Sequence, residues 1–112
     1  MKLRYLAVLA AAAVLAGCAN VKDVRARDPV FYGSTARTAD DYITCVQTAW
    51  QGSGTPSRRQ PVHNGHELVV DGTMGVEAVL TATTWRGKTD VSLSTRIPRY
   101  TSALTEAANL CM

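Results

Sequence analysis

The sequence predicts an α+β domain: a small antiparallel sheet of three to four strands flanked by an N-terminal and a C-terminal helix. Two apolar stripes with helical period, over Thr38–Gln51 and Tyr100–Cys111, supply the helices. The chain between them switches to period two, broken by Asn-Gly and other glycine-bearing turn signals, and that alternation supplies the strands.

The first helix follows Gly33-Ser34-Thr35. Tyr42, Cys45, Val46, Ala49 and Trp50 recur on one face, Thr38 with Asp41 resembles a capping box with the shorter acid, and Asp40 suits the positive end of the helix dipole. Gly52-Ser53-Gly54 ends it, and Ser53–Arg59, rich in Gly, Ser and Pro, reads as a mobile segment. Gln60–His63 is a short candidate strand, joined through an Asn64-Gly65 turn to the strand His66–Asp71. Val76–Thr84 alternates Val76, Ala78, Leu80 and Ala82 with Glu77, Thr81 and Thr83, and Thr89–Ile97 sets Val91 and Leu93 against Ser92 and Ser94. Asp71–Gly75 reads as a loose connection and Arg86-Gly87-Lys88 as a three-residue turn. The last helix places Tyr100, Ala103, Leu104, Ala107 and Cys111 on one face, with Pro98 in its first turn.

The chain start carries a different signal. Lys2 and Arg4 precede an apolar run from Leu6 to Gly17, too short for the roughly 20 residues that span a bilayer and followed at once by polar residues. Leu15-Ala16-Gly17-Cys18 closes the run and resembles a bacterial lipobox, in which the small residues let the chain lie extended in a peptidase groove. The resemblance implies a signal peptide over 1–17 and a mature N-terminus at Cys18, which would carry a diacylglycerol and an N-acyl chain such as palmitate. Several chains at about 0.8 kcal/mol per buried methylene anchor stably, where one alone is marginal.

If Cys18 is acylated, Cys45 and Cys111 remain as a pair in a compartment that permits disulfides. Both lie on apolar helix faces and no CxxC spacing is present, which favours a staple between the helices over a redox or metal site. Signal removal also takes Lys2 and Arg4 from 12 basic and 9 acidic residues, so the mature 95 residues carry a net charge near +1. That balance argues against nucleic-acid binding, and the length suits one domain. Residues 18–37 then read as the lipidated N-terminus with a flexible tether of r.m.s. reach about 25 Å, and 38–112 as a single periplasmic domain. Phe31 and Tyr32 are the exceptions in the tether and are expected to pack back on the domain.

No catalytic set, metal site or cofactor fingerprint emerges. His63 and His66 flank Asn64-Gly65 and would face each other across that turn, but adjacent Glu67 points to the opposite face and no third ligand is fixed. Asp40-Asp41 is explained by helix-end stabilisation. Trp50 and Trp85 read first as core or core-edge residues, and Arg96 and Arg99 as a solvated face or a local salt bridge. The alternative reading makes Trp85, Arg96 and Arg99 a ligand contact surface.

The mature chain resembles the small proteobacterial lipoproteins of uncharacterised type, on the strength of Leu15–Cys18, Cys45-Val46 with Trp50, and Cys111 near the end. The likeness implies a membrane anchor at Cys18 and an envelope protein as partner. With Ala19 rather than aspartate after the cysteine, it implies the periplasmic face of the outer membrane, the inner membrane being the alternative. The expected function is a non-enzymatic protein-interaction or envelope-support module. The alternative is a small-ligand or glycan binder, or an inhibitor of a wall-attacking hydrolase.

Overall fold

A computed structural model describes residues 20–98 and 101–112. The segment expected to be a signal peptide, Cys18, Arg99 and Tyr100 lie outside the described residues. The elements run α1 (Val21–Arg25), β1 (Phe31–Thr35), α2 (Ala39–Gly52), β2 (Arg58–Val62), β3 (Gly65–Gly72), β4 (Gly75–Trp85), β5 (Lys88–Thr95) and α3 (Ser102–Leu110). The strands form one antiparallel sheet of five, in the order β1-β5-β4-β3-β2. The architecture is α+β as expected, with one strand more than the periodicity gave.

The extra strand corrects the tether. Residues 20–37 hold a helix and an edge strand, so the folded unit includes this segment instead of beginning at Thr38. Asn20 caps α1 by accepting from the Asp23 amide at 2.9 Å, and Val24 is fully buried against the sheet. In β1, alternation sends Phe31 to the core while Tyr32 faces solvent at 68% exposure, so only the first packs back on the domain.

Two apolar layers sandwich the sheet. On one face Tyr42, Ile43, Val46 and Trp50 of α2, with Ala108 and Cys111 of the C-terminal region, pack on Leu68, Leu80, Ala82, Val91 and Leu93. Tyr42 donates its hydroxyl to the Ala108 carbonyl at 2.7 Å and Trp50 its indole N–H to the Leu104 carbonyl at 3.3 Å, so each buried aromatic satisfies its polar end. Burial pushes the Tyr42 phenol well above its ordinary pKa. On the other face Val24 covers Val69, Val76 and Val79. Val76 reaches that face through a register shift at Val70/Asp71, which leaves Glu77 without a partner on β3.

Both long helices keep their expected positions with small rotations. Thr38 caps α2 as expected, accepting from the Asp41 amide at 3.1 Å, while Ile43 is buried and Ala49 exposed. In α3, Ala108 takes the buried place expected of Ala103, and the helix starts after Thr101, beyond Pro98, to whose carbonyl the Thr101 hydroxyl donates at 2.8 Å. Arg58 and Arg59 of the supposed mobile segment belong to β2.

All three hairpin turns are tighter or shifted. Trp85 pairs with Lys88, leaving a two-residue Arg86-Gly87 turn whose φ angles of 51° and 77° are the positive pair that strand twist favours. Gly72 pairs with Gly75 around Thr73-Met74. Val62 pairs with Gly65, so the first turn is His63-Asn64. Gly65 is a strand residue, needed because a Cβ there would overlap the Ala82 carbonyl oxygen of β4.

The Cys45–Cys111 disulfide joins α2 to the residue that ends α3, with Cα atoms 5.9 Å apart. Closing a loop of 66 residues removes denatured-state entropy equivalent to about 4 kcal/mol in the chain-entropy account. Reductant, or Cys45→Ser, should therefore lower the melting temperature of the domain by well over ten degrees, read by circular dichroism with and without dithiothreitol. Equal transitions would contradict a structural role for the bond.

Candidate functional site

The face of the sheet that carries α1 holds the one fully buried carboxyl group among the described residues. Strand alternation places Glu67 beside Val69 on that face, and its side chain is completely buried. A buried carboxylate is costly unless paired and hydrogen-bonded. Arg25, the last residue of α1, meets it with both arms of its guanidinium, Nε donating to Oε2 at 2.8 Å and Nη2 to Oε1 at 2.6 Å. Gln60 of β2 donates to Oε1 at 2.7 Å and Thr81 of β4 to Oε2 at 2.8 Å. The last two come from the neighbouring strands directly opposite Glu67 in the register.

Those bonds decide what the carboxylate can do. Burial raises its pKa most strongly of any single influence, but the donors Arg25, Gln60 and Thr81 together outweigh it and hold Glu67 below the ordinary carboxylate value. Four accepted hydrogen bonds use the capacity of an ionised carboxylate, so no lone pair is left for a substrate proton. The cluster is a structural clamp that fastens the N-terminal segment to the centre of the sheet. Ser94 adds to it by donating to the Arg27 carbonyl at 3.1 Å, and Arg27 in turn donates to the Arg96 carbonyl at 3.1 Å.

Two members of the expected contact surface, Trp85 and Arg96, stand apart. Trp85 lies at the tip of the β4–β5 hairpin, 63% exposed with the Arg86 guanidinium 5.5 Å from its ring centroid. This corrects its reading as a core or core-edge residue, whereas Trp50 is fully buried as expected. Arg96 sits at the opposite end of the sheet, just after Thr95, which pairs with Ala78, and it binds Glu77 at 2.9 Å. The length of β4 thus separates Trp85 from Arg96, and Arg99 lies outside the described residues.

The histidines do not converge either. His63 occupies the turn itself, and His66 pairs with Pro61 on one side and Ala82 on the other, so the two do not face each other across the hairpin. Among the described residues no three His, Cys, Asp or Glu side chains cluster in a metal-binding arrangement. Asp40 pairs with Arg59, and Asp41 lies in the capped first turn of α2.

A second feature, absent from the sequence reading, is a groove of about 730 Å³ between edge strand β1 and helix α3. Val30 and Phe31 line one side and Ser102, Thr105, Glu106 and Asn109 the other. Strand and helix are tied at one end, where the Thr35 hydroxyl donates to the Met112 carbonyl at 2.6 Å and Arg37 to the Cys111 carbonyl at 2.8 Å. The i, i+3, i+4, i+7 spacing of the α3 residues was legible, but with β1 read as tether there was no second wall.

No helix among the described residues is long and apolar enough to cross a membrane. Comparison with known proteins finds no matching family, no matching curated protein and no matching solved structure.

The clamp makes a quantitative claim. Arg25→Ala leaves Glu67 buried with only neutral donors, and should cost about 2 kcal/mol, less than for a fully buried pair because Arg25 is half exposed. Because the native carboxyl is held below its ordinary pKa, its contribution is present above about pH 4.3 and disappears as pH falls through the native value. Urea titrations from pH 7 to pH 3 should show that loss in the wild type, and a loss beginning at higher pH in Arg25→Ala. A wild-type acid limb unchanged in Arg25→Ala would contradict the clamp.

Proposed function

We propose that this chain is a lipid-anchored envelope protein, held at Cys18 on the periplasmic face of the outer membrane, whose domain serves as a non-enzymatic protein-interaction or envelope-support module. The supporting observation is the allocation of cysteines. The folded domain joins Cys45 to Cys111, and the third cysteine stands at the end of Leu15-Ala16-Gly17-Cys18, where a lipoprotein carries its acyl chains. A disulfide also suits an oxidising compartment outside the cytoplasm.

The fold changes how such an anchor would act. Only Ala19 separates Cys18 from Asn20, the cap of α1. Two residues of extended chain reach about 7 Å, so the domain would sit against the headgroups instead of standing off on a long tether. Partners would then be envelope proteins that approach close to the bilayer.

Acylation is read directly by labelling cells with an alkyne palmitate analogue. Wild type should be labelled and sediment with membranes, and Cys18→Ala should lose the label and accumulate as unprocessed precursor. A label retained in Cys18→Ala would overturn the anchor.

A second reading, a glycan or small-ligand binder or an inhibitor of a wall-attacking hydrolase, draws support from Trp85, whose exposed ring lies under Arg86 at a hairpin tip. With Trp50 buried, a change of fluorescence and of acrylamide quenching on titration with cell-wall oligosaccharides reports on Trp85. A saturable change abolished by Trp85→Ala would favour this reading, and no change would remove it.

A further inference from the structure

The two edges of the sheet are treated differently. Edge strand β2 carries Arg58, Arg59 and Pro61, and both arginines are engaged, with Asp71 at 2.7 Å and with Asp40. Charges and proline are the ordinary means of keeping an edge from pairing with another chain. Edge strand β1 reads Phe31-Tyr32-Gly33-Ser34-Thr35, with neither charge nor proline, and its outer side has no strand partner among the described residues. An open edge of that kind presents unpaired backbone donors and acceptors in a row.

The open edge is also walled. Helix α3 runs beside it across the groove, with Ser102, Thr105, Glu106 and Asn109 toward the space and Val30 and Phe31 opposite. A strand edge next to a helix is the arrangement in which proteins take up an extended peptide: the edge supplies main-chain hydrogen bonds and the helix supplies side-chain selection. Glu106 is the one charged side chain among the described lining residues, and it has no salt-bridge partner among the described residues.

We propose that the β1–α3 groove binds an extended segment of a partner protein as a sixth strand, with a lysine or arginine of that segment directed at Glu106 and small or β-branched side chains over Val30 and Phe31. This deepens the interaction reading above and rests on it. A second copy of the chain is a poorer occupant: self-pairing of a five-residue strand buries roughly a few hundred Å², short of the ~1,200 Å² of a stable interface. A partner segment that also lies along α3 uses the whole groove.

The test uses the processed full-length protein in detergent micelles, panned against short random peptides displayed on phage. Recovered peptides should be rich in β-branched residues with a lysine or arginine. A synthetic copy should slow amide exchange in Phe31–Thr35, and should bind about tenfold more weakly to Glu106→Lys. That variant should melt as the wild type does, since Glu106 is exposed and makes no salt bridge among the described residues. No enrichment over empty micelles would overturn the proposal. So would protection appearing at β2, or β1 amides protected without peptide in a concentration-dependent way, which would assign the edge to a second copy. In-cell photo-cross-linking separates the two levels of argument: an envelope partner captured from Arg86 while panning fails would remove the groove and leave the interaction reading standing.

Discussion

Burying a carboxylate in the middle of a sheet face imposes a requirement on the rest of the chain, because a cation has to be delivered to it from outside the sheet. Glu67 has neighbours on both sides that donate, Gln60 and Thr81, but neither carries charge. Arg25 meets the requirement only if the residues before β1 fold back across the valine layer of Val69, Val76 and Val79. That return path puts Val24 into the second core, leads the chain to the β5 edge and lets Phe31–Thr35 add a strand there. The two-sided sheet and its open β1 edge are therefore consequences of one ion pair and the small apolar patch around it.

Much of the remaining fold was legible because its elements are long relative to their periods. Fourteen residues of α2 repeat their apolar face several times, and the strands β3 to β5 alternate over eight or more. The parts that escaped are short or locally ambiguous. Helix α1 has five residues and one buried side chain, and β1 has five residues with a glycine at its centre and Tyr32 turned outward, so neither completes a recognisable period. Asn64-Gly65 is a strong turn signal, yet the close approach of β4 requires the glycine inside the strand, and the turn moves one residue earlier. Register follows that tertiary contact, and the facing histidine pair disappears with it.

The candidate site divided in the same way. An acid at Glu67, two residues before Val69 on an alternating strand, was a visible sign of a carboxylate on a covered face, but its partner lay in a stretch that composition assigned to a tether. Trp85 and Arg96 both stand near strand ends, and the antiparallel register of β4 and β5 puts those two positions at opposite ends of the strands. The pair Cys45 and Cys111 was easier, since both fall on apolar helix faces and the packing of those helices brings them within bonding distance.

The consequence for function is positional. A helix capped at Asn20 stands two residues after Cys18, so an anchor at that cysteine would hold the sheet near the bilayer and restrict which surfaces a partner can reach. The claim on which this depends is that the N-terminal segment belongs to the folded unit, and amide hydrogen exchange of the full-length protein tests it most directly. The Val24 amide, which donates to the Asn20 carbonyl at 3.1 Å, should exchange about a hundredfold or more slowly than in an unstructured chain. Exchange of Val24 at the unstructured rate while β4 stays protected would show a mobile tether and contradict the account.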